Sequence, residues 1–196
     1  MSETEHTEKK QSDRWFTIFC GVMIVLLLIN TFVIKLALVD GRSMYPTLQD
    51  NQLMLVFRPG YTPAGGDVVV IHTGNGIFNR DYIVKRVIAT QGQSVTIDYD
   101  LDTVSVDDVI LSEPYLNYSE EDPMLPRDDR TVVHYTVPEG CVFVMGDNRN
   151  HSSDSRVASI GQIRLDQVLG KVLFIVFPGA DKVSGGRDFG RIGAVD

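Results

Sequence analysis

The sequence predicts a mostly β protein, an antiparallel barrel or sandwich preceded by one N-terminal membrane helix. Three observations lead to this prediction. Residues 16–34 form a run of 19 positions without a charged side chain. From Asp50 onward, eight short segments are rich in Val, Ile, Phe and Tyr, with turn-forming residues often at their ends. After Asp40, a helical turn is expected only near residues 164–167.

The N-terminal apolar run has the length of a membrane span. At about 1.5 Å per residue it extends about 28 Å, close to the ~30 Å hydrocarbon core of a bilayer. Trp15 and Lys35 lie at its two ends, where an interfacial ring and a snorkelling cation are favourable. A cleaved signal peptide has a shorter apolar region of about 7–15 residues and a small-x-small site. We therefore expect residues 15–39 to be a transmembrane signal anchor.

The charges around this run indicate its orientation. Three basic residues precede the run (Lys9, Lys10 and Arg14) and two follow it (Lys35 and Arg42), a small excess on the N-terminal side. Residues 1–14 are expected to be a short, disordered cytoplasmic tail. Residues 40–196 then form an extracytoplasmic domain of a single-pass protein of the cell membrane.

The eight apolar segments have a period of two or are continuously apolar. A continuous run indicates a strand buried on both faces, as in a barrel or sandwich. The predicted strands lie within residues 51–58, 66–74, 81–90, 93–100, 103–111, 131–138, 140–147 and 171–178.

The negative charge of the chain comes from one segment. Residues 98–130 hold 11 acidic and two basic residues, a net charge of −9, whereas the whole chain carries −8. The chain therefore lacks the basic footprint of a nucleic-acid-binding protein. We expect residues 98–135 to form an acidic, variable lobe or insert, poor in strands over 120–130 and away from any catalytic site.

Cysteines and metal ligands do not organise this sequence. Cys20 and Cys141 are predicted to be buried, unpaired thiols, and neither a CxxC pair nor a zinc-type Cys/His cluster occurs. Residues 147–154 offer oxygen ligands but lack the glycine and the distal Glu of a calcium loop. No metal and no cofactor is expected.

A nucleophile and a base can be proposed from the residues. Ser43 follows the apolar run by a few residues, with Pro46 behind it. Lys85 and Arg86 are adjacent in an apolar strand, where alternation points one of the two cations inward. An inward lysine loses its charge through desolvation, which lowers its pKa and makes it a general base for a serine. His72 and His134 lie in strand patterns, whereas His151, in a polar loop, remains an alternative base.

The sequence resembles the bacterial type I signal peptidases, in particular their single-anchor branch. Four blocks occur in the family's order: SMYPTL (43–48), GDVVVI (66–71), KRVI (85–88) and GDNRNHSSDSR (146–156). The resemblance covers about residues 40–96 and 140–180. It implies a serine endopeptidase that removes N-terminal signal peptides from exported precursors after small residues at −1 and −3.

The resemblance also implies a role for seven residues. Ser43 would be the nucleophile and Lys85 the general base. Ser152 would hydrogen-bond the lysine amine, Asp154 and Arg156 would form a supporting ion pair, and Met44 would line the cleft. Gly41 stands where some members carry a serine as an oxyanion donor, which leaves backbone N–H groups, chiefly that of Ser43, for this task. Residues 89–93 (ATQGQ) depart from the family's usual GLPGD.

The expected partners are precursor proteins and the lipid bilayer, with the export machinery left open and nucleic acid excluded. Two other functions remain as alternatives. A self-cleaving repressor with a Ser-Lys peptidase shares the chemistry, but it carries a DNA-binding domain in place of a membrane span. A non-catalytic, membrane-tethered β-domain adaptor requires no pairing of Ser43 with Lys85.

Overall fold

The computed structural model describes residues 3–74, 81–116, 122–180 and 185–195, excluding the side chains of residues 3–13 and 29–32. Its elements are α1 (Glu3–Phe32), β1 (Ile34–Leu38), β2 (Leu53–Phe57), β3 (Val68–His72), β4 (Tyr82–Thr90), β5 (Ser94–Asp98), β6 (Thr103–Val106), β7 (Val109–Ile110), β8 (Val132–Thr136), β9 (Cys141–Met145), β10 (Ile163–Arg164), β11 (Val168–Phe177) and β12 (Gly193–Ala194). Three 3₁₀ helices cover Arg149–His151, Leu165–Gln167 and Phe189–Arg191.

Two antiparallel sheets form the protein. The larger sheet has the order β1-β2-β11-β3-β4-β9-β10, and β12 pairs with β11. The smaller sheet has the order β7-β6-β5-β8. Each of the eight predicted segments contains a strand, and the helical turn expected near residues 164–167 is a 3₁₀ helix. The prediction of a mostly β, antiparallel fold is therefore confirmed.

The N-terminal region differs from the prediction at both of its boundaries. The helix starts at Glu3, so most of the tail expected to be disordered over residues 1–14 is helical. The helix ends at Phe32, and residues 34–38 of the predicted anchor form β1 instead. Their main chain pairs with β2, for example Leu36 with Leu55, which ties the end of the apolar run to the sheet. Within the described residues, no helix combines the length and the apolar character needed to cross a membrane.

Strand β4 lies at the centre of the protein because it contributes to all three hydrophobic clusters. Ile88 packs in the cluster between the two sheets, Val84 lies against the cluster around β2 and β11, and Val87 belongs to the third. Both faces of β4 are consequently covered. The expectation that only one of Lys85 and Arg86 points inward is wrong, because both are buried, at 3% and 2% exposure.

The acidic segment is built into the fold. It contains the end of β5, all of β6 and β7, and Met124, which is buried in the same cluster as Val104. Among its described carboxylates, those of Asp100, Asp107 and Asp108 lie on exposed turns between these strands. The segment is therefore part of the smaller sheet and its core.

Candidate active site

Ser43 and Lys85 meet at the mouth of a cleft. Lys85 Nζ donates hydrogen bonds to Ser43 Oγ at 2.7 Å and to the Val84 carbonyl at 2.8 Å. Ser43 is half-buried, whereas Lys85 is buried. The residues separated by 42 positions in the sequence thus form one hydrogen-bonded pair.

The chain around Ser43 is held in place from two directions. On one side, Met44 and Leu48 are buried in the cluster around β2, and the Leu48 N–H donates to the Met44 carbonyl at 2.8 Å. On the other, Asn148 donates its backbone N–H to the Ser43 carbonyl at 3.0 Å and its amide to the Arg42 carbonyl at 3.1 Å. The serine therefore sits on a backbone that neighbouring elements fix.

Gly41 begins this turn. Its φ of +104° lies in the region that side chains disfavour, and its N–H donates to Asp50 Oδ1 at 2.7 Å. The backbone conformation at position 41 therefore favours a glycine, at the position where some family members carry a serine.

Ser152 lies beside the pair but does not form the expected hydrogen bond to Lys85. Its Oγ is buried, and its hydroxyl contributes to the lowered pKa of the neighbouring Asp154 carboxylate. A Cβ at Gly146 would overlap both Ser152 Oγ and the Ser43 carbonyl oxygen, so the glycine permits this close approach. The two serines are brought together at Gly146.

Asp154 and Arg156 form the ion pair that the resemblance implies. Arg156 donates Nε and Nη2 to the two Asp154 oxygens, each at 2.8 Å, and both side chains are fully buried. Burial alone raises the pKa of Asp154, but the Arg156 guanidinium holds that pKa below its usual range. Burial lowers the pKa of Arg156, but the hydrogen bonds and the negative charge of Asp154 outweigh this effect and keep the Arg156 pKa raised. The Asp154 carboxylate also accepts the Gly146 N–H at 3.0 Å, which supports the turn beside Ser43.

Arg86 was not among the predicted site residues, yet it connects β4 to the serine-bearing turn. It donates to Asp147 through Nε at 2.9 Å and Nη2 at 2.8 Å, and Thr47 donates its hydroxyl to the same carboxylate at 2.5 Å. The sequence feature that could have identified Arg86 as a site residue is its position next to Lys85 in an apolar strand.

The acidic segment reaches the back of the site, contrary to the expectation that it lies away from it. Glu113 forms a buried ion pair with Arg149 and accepts the Tyr115 hydroxyl at 2.7 Å. The Tyr115 ring covers the Arg86 guanidinium at 3.8 Å. Arg127 donates to backbone carbonyls of the loop that carries Ser152. No sequence pattern singled out these three residues.

The remaining candidates separate into cleft residues and structural ones. The cleft has a volume of about 620 Å³, and residues 35–39 of the β1 region, Met44 and the exposed His151 contribute to its lining. His134, in β8, shares a 2.8 Å hydrogen bond with Thr96, and His72 lies at the end of β3. Cys20 and Cys141 are unpaired and half-buried. No group of three possible metal ligands occurs in the described part of the chain.

Comparisons with known proteins agree with one another. The family model described as "Signal peptidase, peptidase S26" matches residues 12–177. The chain is 34% identical over 185 residues to signal peptidase IB of Staphylococcus aureus strain COL, covering 87% of this chain and 92% of that protein. It is 34% identical over 188 residues to signal peptidase I T of Bacillus subtilis strain 168, covering 90% and 93%. A crystal structure of a signal peptidase I from Enterococcus faecalis matches with a TM-score of 0.44 and 30% identity, over 57% of this chain and 97% of that one. On the family match and the sequence relatives, this chain belongs to the signal peptidase family, peptidase S26.

Proposed function

We propose that the chain is a membrane-bound serine endopeptidase that removes signal peptides from exported precursors, with Ser43 as nucleophile and Lys85 as general base. The observation that carries the proposal is the 2.7 Å hydrogen bond between a buried lysine amine and the hydroxyl of a serine on the cleft. The family assignment supports the reaction class.

Lys85 is suited to proton transfer because of its surroundings. Burial disfavours the charged ammonium, so the amine can be present in the neutral form that accepts a proton. The Val84 carbonyl fixes one N–H of the amine and leaves the nitrogen lone pair for the serine hydroxyl. The hydrogen bond seen between the two groups then marks the path of the proton.

The reaction follows from this geometry in two halves. Lys85 takes the Ser43 proton as Oγ attacks the scissile carbonyl carbon, and the resulting ammonium gives that proton to the leaving amine of the mature protein. An acyl-enzyme remains on Ser43. Lys85 then takes a proton from water as the water oxygen attacks the ester carbonyl, and it returns that proton to Ser43 Oγ as the ester C–O bond breaks. The signal peptide leaves as a carboxylic acid that ionises, and the serine hydroxyl and the neutral amine are restored. The Ser43 backbone N–H is the proposed oxyanion donor, because Gly41 offers no hydroxyl.

Ser152 is proposed to orient the lysine. Its buried Oγ lies next to the Ser43 carbonyl across Gly146, and Ser43 is the residue whose hydroxyl binds the Lys85 amine. The Asp154–Arg156 pair supports Gly146 and thereby the distance between the two serines.

The cleft suits an extended peptide with small side chains. Strand β1 is an edge strand of the larger sheet and lines the cleft, so a substrate strand can add beside it. Met44 occupies space in the lining close to Ser43, which favours alanine-sized residues at −1 and −3. The substrate class is therefore a signal peptide in extended form.

Helix α1 is proposed as the membrane anchor, with residues 1–14 inside and the domain 40–196 outside. The described side chains of its apolar part, such as Trp15, Phe19 and Leu27, are exposed. Because β1 follows the helix and Ser43 follows β1, the nucleophile would be tethered close to the outer bilayer face, where a scissile bond emerges. Such tethering raises the effective concentration of the two groups.

The experiment that tests the function is cleavage of a purified precursor by the full-length protein in detergent micelles. The wild type should release the mature protein with its new N-terminus directly after the −1 residue, and Ser43→Ala should release none. Equal cleavage by both proteins would remove the assignment of Ser43. No cleavage by a folded wild type would favour the adaptor alternative.

A further inference from the structure

We infer that Arg127, in the acidic segment, is a positioning residue that holds the Ser152 backbone in place for Lys85. The inference rests on the proposed role of Ser152. It concerns a part of the chain for which the sequence comparison implies no site residue.

The first observation is a clamp on two carbonyls. Arg127 Nη2 donates to the Arg149 carbonyl at 2.7 Å and to the Ser152 carbonyl at 2.8 Å. The Arg149 carbonyl belongs to the first residue of the short 3₁₀ helix Arg149–His151, and the Ser152 carbonyl belongs to the residue directly after its C-terminal end. Carbonyls at a helix end lack partners within the helix, and an arginine is well suited to satisfy them.

A second guanidinium donates to one of the same two carbonyls. Arg156 Nη2 also donates to the Arg149 carbonyl, at 2.7 Å. Arg156 belongs to the buried pair with Asp154, so its position is fixed by the core. Only Arg127, of these two arginines, donates to the Ser152 carbonyl.

The segment that carries Arg127 is itself anchored at several points. Met124 is buried, and its N–H donates to Asp102 Oδ1 at 2.8 Å in the turn before β6. The Leu125 N–H donates to Asn150 Oδ1 at 2.8 Å, and Asn150 donates back to the Pro123 carbonyl at 2.9 Å. Residues 122–127 thus connect the smaller sheet to the loop of Ser152.

Arg127 holds Ser152 through its backbone, by the charged hydrogen bond to the Ser152 carbonyl. Without Arg127, the Ser152 carbonyl loses its charged donor and the loop is free to relax. Arg127 does not line the cleft, so the loss acts on the orientation of Lys85 and not on substrate binding. The expected consequence is a lower kcat with an unchanged KM.

The test is steady-state cleavage of a peptide substrate by the full chain in micelles, with three single variants and one double variant. Arg127→Ala should lower kcat about tenfold or more, since charge-assisted hydrogen bonds are the strong ones, and KM should stay within about twofold. Arg127→Lys keeps the charge but loses the forked guanidinium, so its kcat should lie between those of the wild type and Arg127→Ala. Arg130→Ala is the matched control: Arg130 lies in the same segment, is exposed and pairs with Asp128, and its loss should leave kcat unchanged.

The double variant separates positioning from a general structural effect. In a Ser152→Ala background, Arg127→Ala should cost no further activity, because the two residues act through the same hydroxyl. Full additivity of the two losses would overturn the inference. A normal kcat of Arg127→Ala would also overturn the inference. If the alanine variant does not fold, a normal kcat of Arg127→Lys would overturn it instead.

Failure of the proposed function gives a different result. In that case Ser43→Ala keeps its activity, or Ser152→Ala has no effect. If Ser152→Ala is impaired while Arg127→Ala is normal, only the inference on Arg127 is refuted.

Discussion

The buried ion pair behind Gly146 makes a prediction that can be worked out from its geometry. Asp154→Asn keeps the size of the side chain but removes the negative charge that faces Arg156. In the wild type, this carboxylate accepts two arginine side-chain bonds at 2.8 Å and two backbone bonds, from Gly146 at 3.0 Å and from Arg156 at 3.3 Å, with both side chains at 0% exposure. Breaking such a pair costs about 3–5 kcal/mol, which for a domain of this size corresponds to a fall in Tm of about 6–20 °C.

The pH dependence gives the prediction its sign. The pKa of Asp154 in the folded protein is lower than the ordinary aspartate value of 3.8, so the ionised carboxylate stabilises the fold at neutral pH. This contribution is fully present well above pH 3.8 and is lost as the pH falls through the lowered folded pKa. The difference in Tm between wild type and Asp154→Asn should therefore stay constant from about pH 7 to 5 and narrow in stronger acid.

Thermal unfolding followed by circular dichroism measures this difference. Asp128→Asn is the matched control, because Asp128 also pairs with an arginine but on the exposed surface, and its Tm should not change measurably. A Tm of Asp154→Asn equal to that of the wild type at pH 7, or a difference that widens in acid, would refute the reasoning.

Three further predictions concern activity. Ser152→Ala should reduce precursor cleavage by about 10–10³-fold because Ser152 is proposed to orient the base. The control is Ser159→Ala, at an exposed serine of the same loop region, which should cleave normally. The reverse result would show that Ser152 does not belong to the site. Gly146→Ala should lose most activity in the same assay, since its Cβ overlaps Ser152 Oγ and the Ser43 carbonyl, and normal activity would contradict the packing described. A precursor with Phe at −1 should remain uncut when its Ala counterpart is cleaved, as judged by mass spectrometry; efficient cleavage after Phe would indicate a general protease.

The sequence allowed the strands and the central pair of the site to be predicted for physical reasons. A period of two and continuous apolar runs are local properties, so the segments that became β2 to β9 and β11 could be recognised. Lys85 could be identified because burying a cation in an apolar strand is unfavourable unless the residue has a partner or a function. Ser43 became a candidate through its place after the apolar run and its motif.

Other features depend on contacts that local patterns do not contain. β1 follows the apolar run with only Lys35 as a charged residue, and hydropathy does not distinguish the end of a helix from an edge strand. Arg86 finds Asp147 at a separation of 61 residues, and Arg127 reaches Ser152 across 25. The acidic segment was expected to be peripheral because of its charge, but its few apolar residues and two of its charged ones face the core and the site.

The central claim is that Lys85 removes the proton of Ser43, and Lys85→Arg tests it most directly. A guanidinium cannot lose its proton in a protein, so the variant keeps a cation at the site but has no base. The measurement is the initial rate of precursor cleavage by folded Lys85→Arg, compared with wild type and with Lys171→Arg. This control lies in β11, which β3 separates from β4, and its lysine pairs with Asp67. We predict no detectable cleavage by Lys85→Arg and near-normal cleavage by the control. Near-normal turnover by Lys85→Arg would contradict the assignment of the base.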